Sequence, residues 1–385
     1  MFGGRLGAAS IGVALLAAIP AIAAAADLPV KAPPAIPSSG SFWAELDVLA
    51  WSVKGDRPPP LVTTSPLGTP LGQAGVLGLP TTTVLFGDSS VDGAWRAGGR
   101  LQAGYWFDPV RSKGIEVSFF DLADVSTGFA ANSSTNPILA RPFFNATTNL
   151  QDAALISFPA VVFGSVAVNE TSRLLGAGAL YRQDLGRWGD QRISALVGYR
   201  YLHSSDRLSI ASVQNSLLFP SSVAATDSFS ATSDFHGVDL GLAGEWQRDR
   251  WTLEWRGKVA LGGNINSASV NGVTTNTVLG VSTTLPGGFL ALSTNGGNSS
   301  HTRFAVVPEL SIKAGYQIAP QWRIFVGYDV LYWTDVQRAG GLIDLGVNPN
   351  LLPPPFPGGP QRPMPLFNTT SLLAQGFNFG VRYNY

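Results

Sequence analysis

The stretch WRAGGRLQAGYWF, residues 95–107, alternates between two kinds of side chain. Its odd positions, from Trp95 to Phe107, carry only aromatic, aliphatic, Ala or Gly residues, whereas its even positions carry Arg96, Arg100, Gln and Gly as far as residue 104. Successive side chains of a β-strand point to opposite faces, so the side-chain pattern has a period of two. The stretch therefore predicts a strand with one apolar face and one polar, glycine-rich face.

The same alternation recurs along the chain and predicts about ten strands, each near the roughly nine to eleven residues that cross a bilayer. The strands are predicted near 42–53, 94–106, 114–123, 173–182, 192–205, 234–246, 251–262, 303–316, 322–334 and 374–385. The first is the weakest member, with Glu45 and Asp47 facing inward, and the third and fourth are poorly patterned. The outer loops are predicted at 54–93, 124–172, 206–233, 263–302 and 335–373. These loops are long enough to carry β-structure, so a count of twelve strands stays open.

The composition narrows the function classes. Charged residues make up 13% of the 385 residues, about half the roughly 25% of an average globular protein. The 25 Lys and Arg balance the 25 Asp and Glu, which argues against nucleic acid as a partner. The absence of cysteine excludes disulfides, thiolate catalysis and cysteine-ligated metals. No motif points to a cofactor, a metal site or an enzyme.

Two architectures give such alternation, a soluble sandwich and an outer-membrane barrel. Aromatic residues lie at the ends of the apolar stripes, as in the interfacial girdles of barrels, and short turns such as 108–113 and 247–250 alternate with long loops. The chain also ends in the strand FNFGVRYNY, which resembles the recognition signal of outer-membrane barrels. Its apolar face would comprise Phe377, Phe379, Val381, Tyr383 and Tyr385. Together these features predict an all-β fold, a transmembrane antiparallel up-and-down β-barrel with long extracellular loops and short periplasmic turns.

The N-terminal residues predict export. Residues 1–25 have a positive start at Arg5, a short apolar segment and small residues before the cut, as in a signal peptide. Residues 26–40 are a Pro-rich periplasmic tether, and 41–385 form a single barrel domain. The predicted location is the outer membrane of a Gram-negative bacterium. The predicted partners are outer-membrane lipid, lipopolysaccharide and the barrel-assembly machinery.

Charged residues on the polar faces are the candidate functional set, because they would line the lumen. Both signs are present, which leaves two interpretations: ion pairs that fill a narrow interior, which ten strands favour, or a pore whose arginines attract anions. By parity the set is Arg96, Arg100, Glu116, Arg200, Asp239, Glu245, Glu254, Arg256, Lys258, Glu309, Lys313, Arg323, Asp329 and Arg382.

The histidines are the other chemical candidates. His203 and His236 would meet near the outer rim, close to Asp206 and Asp234, and some barrel proteases use Asp and His at that place. Parity instead places both histidines toward the membrane interface, which predicts a polar girdle without catalysis or metal binding. His301 is predicted to lie in a loop without an evident partner.

Several segments resemble the beta-barrel porin-seven (BBP7) family of outer-membrane proteins. They are FWAELDVLAWSV (42–53), PPPLVTTSP (58–66), WRAGGRLQAGYWFD (95–108), GIEVSFFDL (114–122), VGYRYLHSSDRLSI (197–210) and VGYDVLYWTDVQRAGGLIDLGVN (326–348). The resemblance covers nearly all the mature chain and implies a porin-like outer-membrane barrel, without catalytic residues and without an established substrate. Two functions remain open. One is a narrow passive channel for small solutes, and the other is a structural or surface-interaction barrel with an ion-pair-filled lumen and functional outer loops.

Overall fold

A computed structural model describes residues 41–356 and 358–385, so the predicted signal peptide and tether lie outside the described residues. The strands are β1 (Ser41–Val53), β2 (Val62–Thr64), β3 (Thr83–Phe86), β4 (Trp95–Trp106), β5 (Lys113–Asn132), β6 (Leu139–Asn145), β7 (Leu150–Ser157), β8 (Val162–Trp188), β9 (Gln191–Ser216), β10 (Ser221–Arg248), β11 (Trp251–Val278), β12 (Val281–Pro286), β13 (Gly297–Ala319), β14 (Trp322–Gln337), β15 (Gly346–Val347) and β16 (Thr369–Asn384). Three short 3-10 helices cover Leu71–Gln73, Ala339–Leu342 and Pro349–Leu351. In the part of the chain that the structure describes, no helix is long and apolar enough to cross a membrane.

Ten of these strands form one closed antiparallel ring. The order is β1, β4, β5, β8, β9, β10, β11, β13, β14 and β16, and β16 returns to pair with β1. That closing register runs from Trp43 opposite Asn384 to Val53 opposite Ala374. The ring confirms the predicted ten-strand barrel, and the weakly patterned first strand is one of its full members.

The membrane-facing side of the ring is a belt of exposed apolar side chains. Leu101, Ile312 and Phe379 all point outward from their strands. Aromatic pairs lie near the periplasmic end, where the Trp322 and Tyr383 ring centroids are 4.9 Å apart. Exposure of such an apolar belt to water would be unfavourable, whereas an outer-membrane barrel needs an apolar belt to contact the lipid.

Three of the five predicted outer loops, 124–172, 206–233 and 263–302, are mostly strand, because several ring strands continue far beyond the membrane. β8, β9, β10 and β11 have 27, 26, 28 and 28 residues, whereas about ten suffice to span the bilayer. Above the membrane the apolar residues lie on the inner face of the sheet and the polar residues on the outer face. Leu208 and Phe229 point inward, while Arg207 and Ser228 point toward water. The period of two is unchanged, but the apolar face now meets a core instead of lipid. We call this part of the sheet the extension.

A second, smaller sheet fills the extension. It has the order β15, β6, β2, β3, with β7 on the free edge of β6. Its apolar side chains share one core with the inner faces of β8 to β11 and with the segment 287–296. We call this sheet, together with 287–296, the plug. The plug therefore lies, tightly packed, in the extracellular mouth of the barrel.

Candidate functional site

The periplasmic half of the lumen holds a layer of paired charges, which we call the ionic layer. Within the described residues it contains eight acids and eight bases, so the layer has no net charge. The acids are Glu45, Asp47, Glu116, Asp239, Glu245, Glu254, Glu309 and Asp329, and the bases are Arg100, Arg182, Arg200, Arg256, Lys258, Lys313, Arg323 and Arg382. Balanced charges of this kind neutralise one another instead of selecting an ion.

The ion pairs of this layer connect neighbouring strands and also strands that lie apart in the ring. Arg100 donates from Nε to Asp47 Oδ2 at 2.8 Å and from Nη1 to Asp329 Oδ2 at 2.8 Å, which joins β4 to β1 and β14. Arg256 on β11 lies 2.8 Å from Glu116 on β5, nearly across the ring. Arginine suits such sites because its planar guanidinium donates several hydrogen bonds at once.

Little space remains inside the ionic layer. Two cavities within it have volumes of about 20 Å³ and about 30 Å³. A cavity must offer roughly 10–15 Å³ on this scale to hold one water molecule. Each cavity therefore accommodates one or two waters, and neither is a passage for a solute.

An apolar partition, which we call the septum, lies directly above the ionic layer. Trp51, Phe235 and Trp333 fill its centre, and the centroids of the Phe235 and Trp333 rings are 6.3 Å apart. The remaining members come from nearly every ring strand and include Leu49, Leu122, Leu174, Leu202, Ala260, Val307, Leu331 and Leu372. A packed apolar layer disfavours ions because no group in it replaces their hydration.

A second set of charges lies between the septum and the plug. Arg338 pairs with Asp206, and Glu170 is fully buried, with neither carboxylate oxygen making a hydrogen bond. Burial, together with the nearby Asp56, Asp92 and Asp206, raises the pKa of Glu170 to about 9. Glu170 is therefore protonated and neutral at pH 7.

Glu170→Gln is expected to stabilise the extracellular half of the protein above neutral pH. A carboxyl whose folded pKa is raised from its ordinary value of 4.5 disfavours folding as pH rises between that value and about 9. The cost grows by up to about 1.4 kcal/mol per pH unit. Glutamine has the same shape without the titration, so the wild-type protein should lose stability from pH 5 to pH 8 relative to the variant. Thermal unfolding in detergent across this range measures the difference, and parallel curves would contradict the prediction.

One carboxylate of the barrel wall anchors two parts of the plug. Asp227 on β10 accepts hydrogen bonds at Oδ1 from the backbone N–H groups of Phe289, Leu290 and Ala291, at 2.8, 2.9 and 2.8 Å. Its other oxygen accepts from Arg141 Nη2 of β6 at 2.7 Å, and both side chains are buried. The anchor thus holds the segment 287–296 and the small sheet at the same time.

The structure places the predicted lumen residues in two groups. Thirteen of the fourteen belong to the ionic layer, whereas Arg96 lies above the septum and donates to the backbone oxygens of Asp92 and Ser172. Arg182 of the ionic layer was not predicted, because its strand is poorly patterned. Glu170 and Asp206 fall in predicted loops, and Asp206 was considered only as a neighbour of the histidines, yet they lie on β8 and β9, where the alternation continues. Arg338 does lie in a connection, between β14 and the 3-10 helix Ala339–Leu342, where alternation gives no signal.

The side chains of the last strand occupy both faces of the barrel. Phe377 and Phe379 point outward, while Asn378 is buried in the lumen, where it donates to Asp329 at 2.6 Å. Arg382 reaches Glu45 and Glu254 on two other strands. The role of Phe377, Phe379, Val381, Tyr383 and Tyr385 as an assembly signal stays a prediction.

The histidines lie on the outer surface of the barrel. His203 Nδ1 is 2.8 Å from Asp234 Oδ1, and Tyr201 donates to the same oxygen at 2.7 Å. Asp206 points to the opposite face, toward Arg338. The prediction for His301 is wrong, since it lies on β13, with its ring against Phe367 at 4.1 Å between centroids. In the described chain, no group of three or more His, Asp or Glu side chains is arranged to hold a metal ion.

Solved structures similar to this chain are bacterial β-barrels at low identity. The outer membrane protease OmpT from Escherichia coli is 10% identical, with a TM-score of 0.40, over 90% of this chain and 98% of that one. The translocator domain of the autotransporter NalP from Neisseria meningitidis is 9% identical, with a TM-score of 0.25, over 89% and 88%. A FadL homologue from Pseudomonas aeruginosa is 10% identical, with a TM-score of 0.20, over 90% of each chain.

These similarities are too low to transfer a function from any of the three proteins. No curated protein sequence matches the chain significantly. The family model described as "Putative beta barrel porin-7 (BBP7)" matches residues 43–385, which is nearly all of the barrel described above. The closed ring, its lipid-facing belt and this match lead to one conclusion: the chain is an outer-membrane β-barrel that belongs to the BBP7 family of porin-like proteins.

Proposed function

We propose that this protein is a non-conducting outer-membrane barrel whose function is carried by the extension that it displays outside the cell. The observation that supports the proposal is the filling of the lumen at successive levels. The ionic layer is packed, the septum above it is apolar, and the plug occupies the mouth. A solute would have to displace all three.

The passive-channel alternative requires a continuous aqueous path. Ten strands enclose little free volume once their inward side chains are placed. In this barrel those side chains include several arginines and two tryptophans, Trp51 and Trp333. The same residues that would select anions in a pore are paired with carboxylates here, and so they close the lumen.

The purified barrel should give no stepwise conductance in planar bilayers. Each layer alone blocks ions, so a variant that loosens only the plug, Asp227→Ala, should also stay closed, because the septum and ionic layer remain. A known open porin inserted in the same membrane is the positive control. Reproducible channel steps from the wild-type protein would overturn the proposal, and steps from Asp227→Ala alone would show that the plug is a gate.

A further inference from the structure

The end of β8 forms one wall of a groove on the outer face of the barrel, at its periplasmic end. A register shift between Asp184 and Gly186 interrupts the pairing of β8 with β9, and Gly186 has a φ of 109°. Glycine adopts such a backbone conformation without steric cost. A bulge of this kind bends its strand and redirects the residues that follow. Leu185 and Trp188 are accordingly exposed to 61% and 81%.

The opposite wall of the groove is Trp255 on β11. Its indole lies across β10, where Gly244 leaves room for it: a Cβ at Gly244 would lie 2.1 Å from Trp255 Nε1. From this position Trp255 Nε1 donates a hydrogen bond to Gln191 Oε1 on β9, at 3.3 Å. The missing side chain and the hydrogen bond together hold the indole over β10.

The space between the two walls, which we call the interfacial groove, has a volume of about 730 Å³ and is also lined by Ile193 and Leu242. This volume falls within the roughly 300–1,000 Å³ of small-molecule sites. Elsewhere at the periplasmic end the aromatic rings pack directly on each other. The ring centroids of Trp251 and Tyr316, for example, are 5.0 Å apart. The groove is therefore a specific feature of the wall formed by β8 to β11.

One charged side chain, that of Arg187, lines the interfacial groove. Arg187 lies directly opposite Arg192 in the register of β8 and β9, and like charges in directly opposite positions are destabilising. Arg192 lies 3.6 Å from Asp184, whereas no ion pair in the described part of the chain includes Arg187. An anion bound at Arg187 would pair with its guanidinium and offset the repulsion between the two arginines.

The position of the groove in the membrane decides what covers it. Leu242 is 46% exposed and belongs to the apolar belt that contacts lipid, so acyl chains lie against this part of the wall. Tryptophans at the ends of such a belt lie at the level of the lipid headgroups. A basic side chain at that level is placed to bind the phosphate of a headgroup. In the periplasmic leaflet of an outer membrane, the molecules that carry both acyl chains and a phosphate are phospholipids.

We propose that the interfacial groove binds one phospholipid of the periplasmic leaflet, with an acyl chain between Trp188 and Trp255 and its phosphate on Arg187. The planar guanidinium donates two hydrogen bonds to a phosphate, which gives the headgroup a defined position. The groove lies on the outer face, apart from the ionic layer and the septum. The lipid site is thus independent of whether the lumen conducts.

Native mass spectrometry of the purified barrel in detergent, titrated with phosphatidylglycerol, tests the proposal. The wild-type barrel should retain one lipid at concentrations too low for further lipids to bind. Arg187→Gln and Trp188→Ala should each weaken this binding about tenfold, as expected for the loss of one charge-assisted contact or one apolar wall. Diacylglycerol, which has the acyl chains without the phosphate, should bind weakly and equally to the wild type and to Arg187→Gln.

Two variants at the neighbouring β10–β11 turn are the matched controls. Arg250→Gln removes an exposed arginine, and Trp251→Ala removes a tryptophan that is 57% exposed; neither residue lines the groove. Both should retain the lipid as the wild type does, and a heat-modifiable gel band shows that each variant has folded. Equal lipid retention by all variants would overturn the proposal, because it would indicate lipid bound all around the belt. Failure of the wild type to retain phosphatidylglycerol in preference to diacylglycerol would overturn it as well.

Discussion

Asp227→Ala is expected to release the plug from a barrel that otherwise stays folded. The substitution removes the acceptor of three backbone N–H groups and leaves Arg141 buried without its carboxylate. Breaking one side of a buried ion pair costs about 3–5 kcal/mol, because the remaining charge is not solvated. The segment fits this carboxylate closely, since a Cβ at Gly288 would lie 2.1 Å from Asp227 Oδ1.

Hydrogen exchange measures this effect. The amides of β6 and of 287–296 should exchange much faster in Asp227→Ala than in the wild type, while those of the membrane-spanning strands should not change. The control is Asp88→Ala, which removes the partner of Arg57 in an ion pair exposed to 71% and 62%. An exposed pair contributes less than about 1 kcal/mol, so exchange should remain normal there. Unchanged protection of β6 in Asp227→Ala would refute the anchor.

Arg100→Met should strongly impair assembly of the barrel. Arg100 is the shared partner of Asp47 and Asp329, both of which are almost fully buried. Methionine fills much of the same volume but leaves both carboxylates without this cation, at an expected cost of about 3–5 kcal/mol. Lys313 still donates to Asp47 and Asn378 still donates to Asp329, so the folded fraction should fall without reaching zero.

Refolding into detergent, followed by the heat-modifiable gel band, reports the folded fraction of Arg100→Met. Adding Asp329→Asn to the variant removes one uncompensated charge and should recover part of the loss. The control is Arg173→Met, since Arg173 pairs with Asp121 on the exposed outer surface. Equal folded yields for Arg100→Met and Arg173→Met would show that the ionic layer contributes nothing to assembly.

The proposed closure of the lumen depends on how the charges are distributed around the ring. Alternation predicted fourteen charges on the inner face, because a period of two leaves one choice once the outer face is apolar. The structure places thirteen of them in the ionic layer and Arg96 above the septum. Alternation did not show that Arg256 meets Glu116 across the ring, or that acids and bases balance within one layer. Those relations depend on the stagger between strands, and the sequence of a single strand does not reveal that stagger.

The extension was the main error of the sequence-based prediction. Its strands alternate as regularly as those in the membrane, but their outward residues are Ser, Thr and Asn, which are typical of loops. In β10, for example, Phe229 and Ala231 point inward between Ser228, Ser230 and Thr232. The sequence shows the alternation in these strands, but it does not show that their apolar face packs against the plug.

The sequence by itself determined the barrel, its ten strands, the face that each membrane-spanning side chain takes and the aromatic last strand. These features depend on local periodicity and on the contrast between lipid and lumen. Only the tertiary structure decided that the lumen is filled, that Asp227 holds the plug and that the β9–β10 turn meets the β11–β12 turn. Each of these joins residues far apart in the chain, since the contacts arise when the ring closes and the segments 54–93, 133–161 and 287–296 fold back into it.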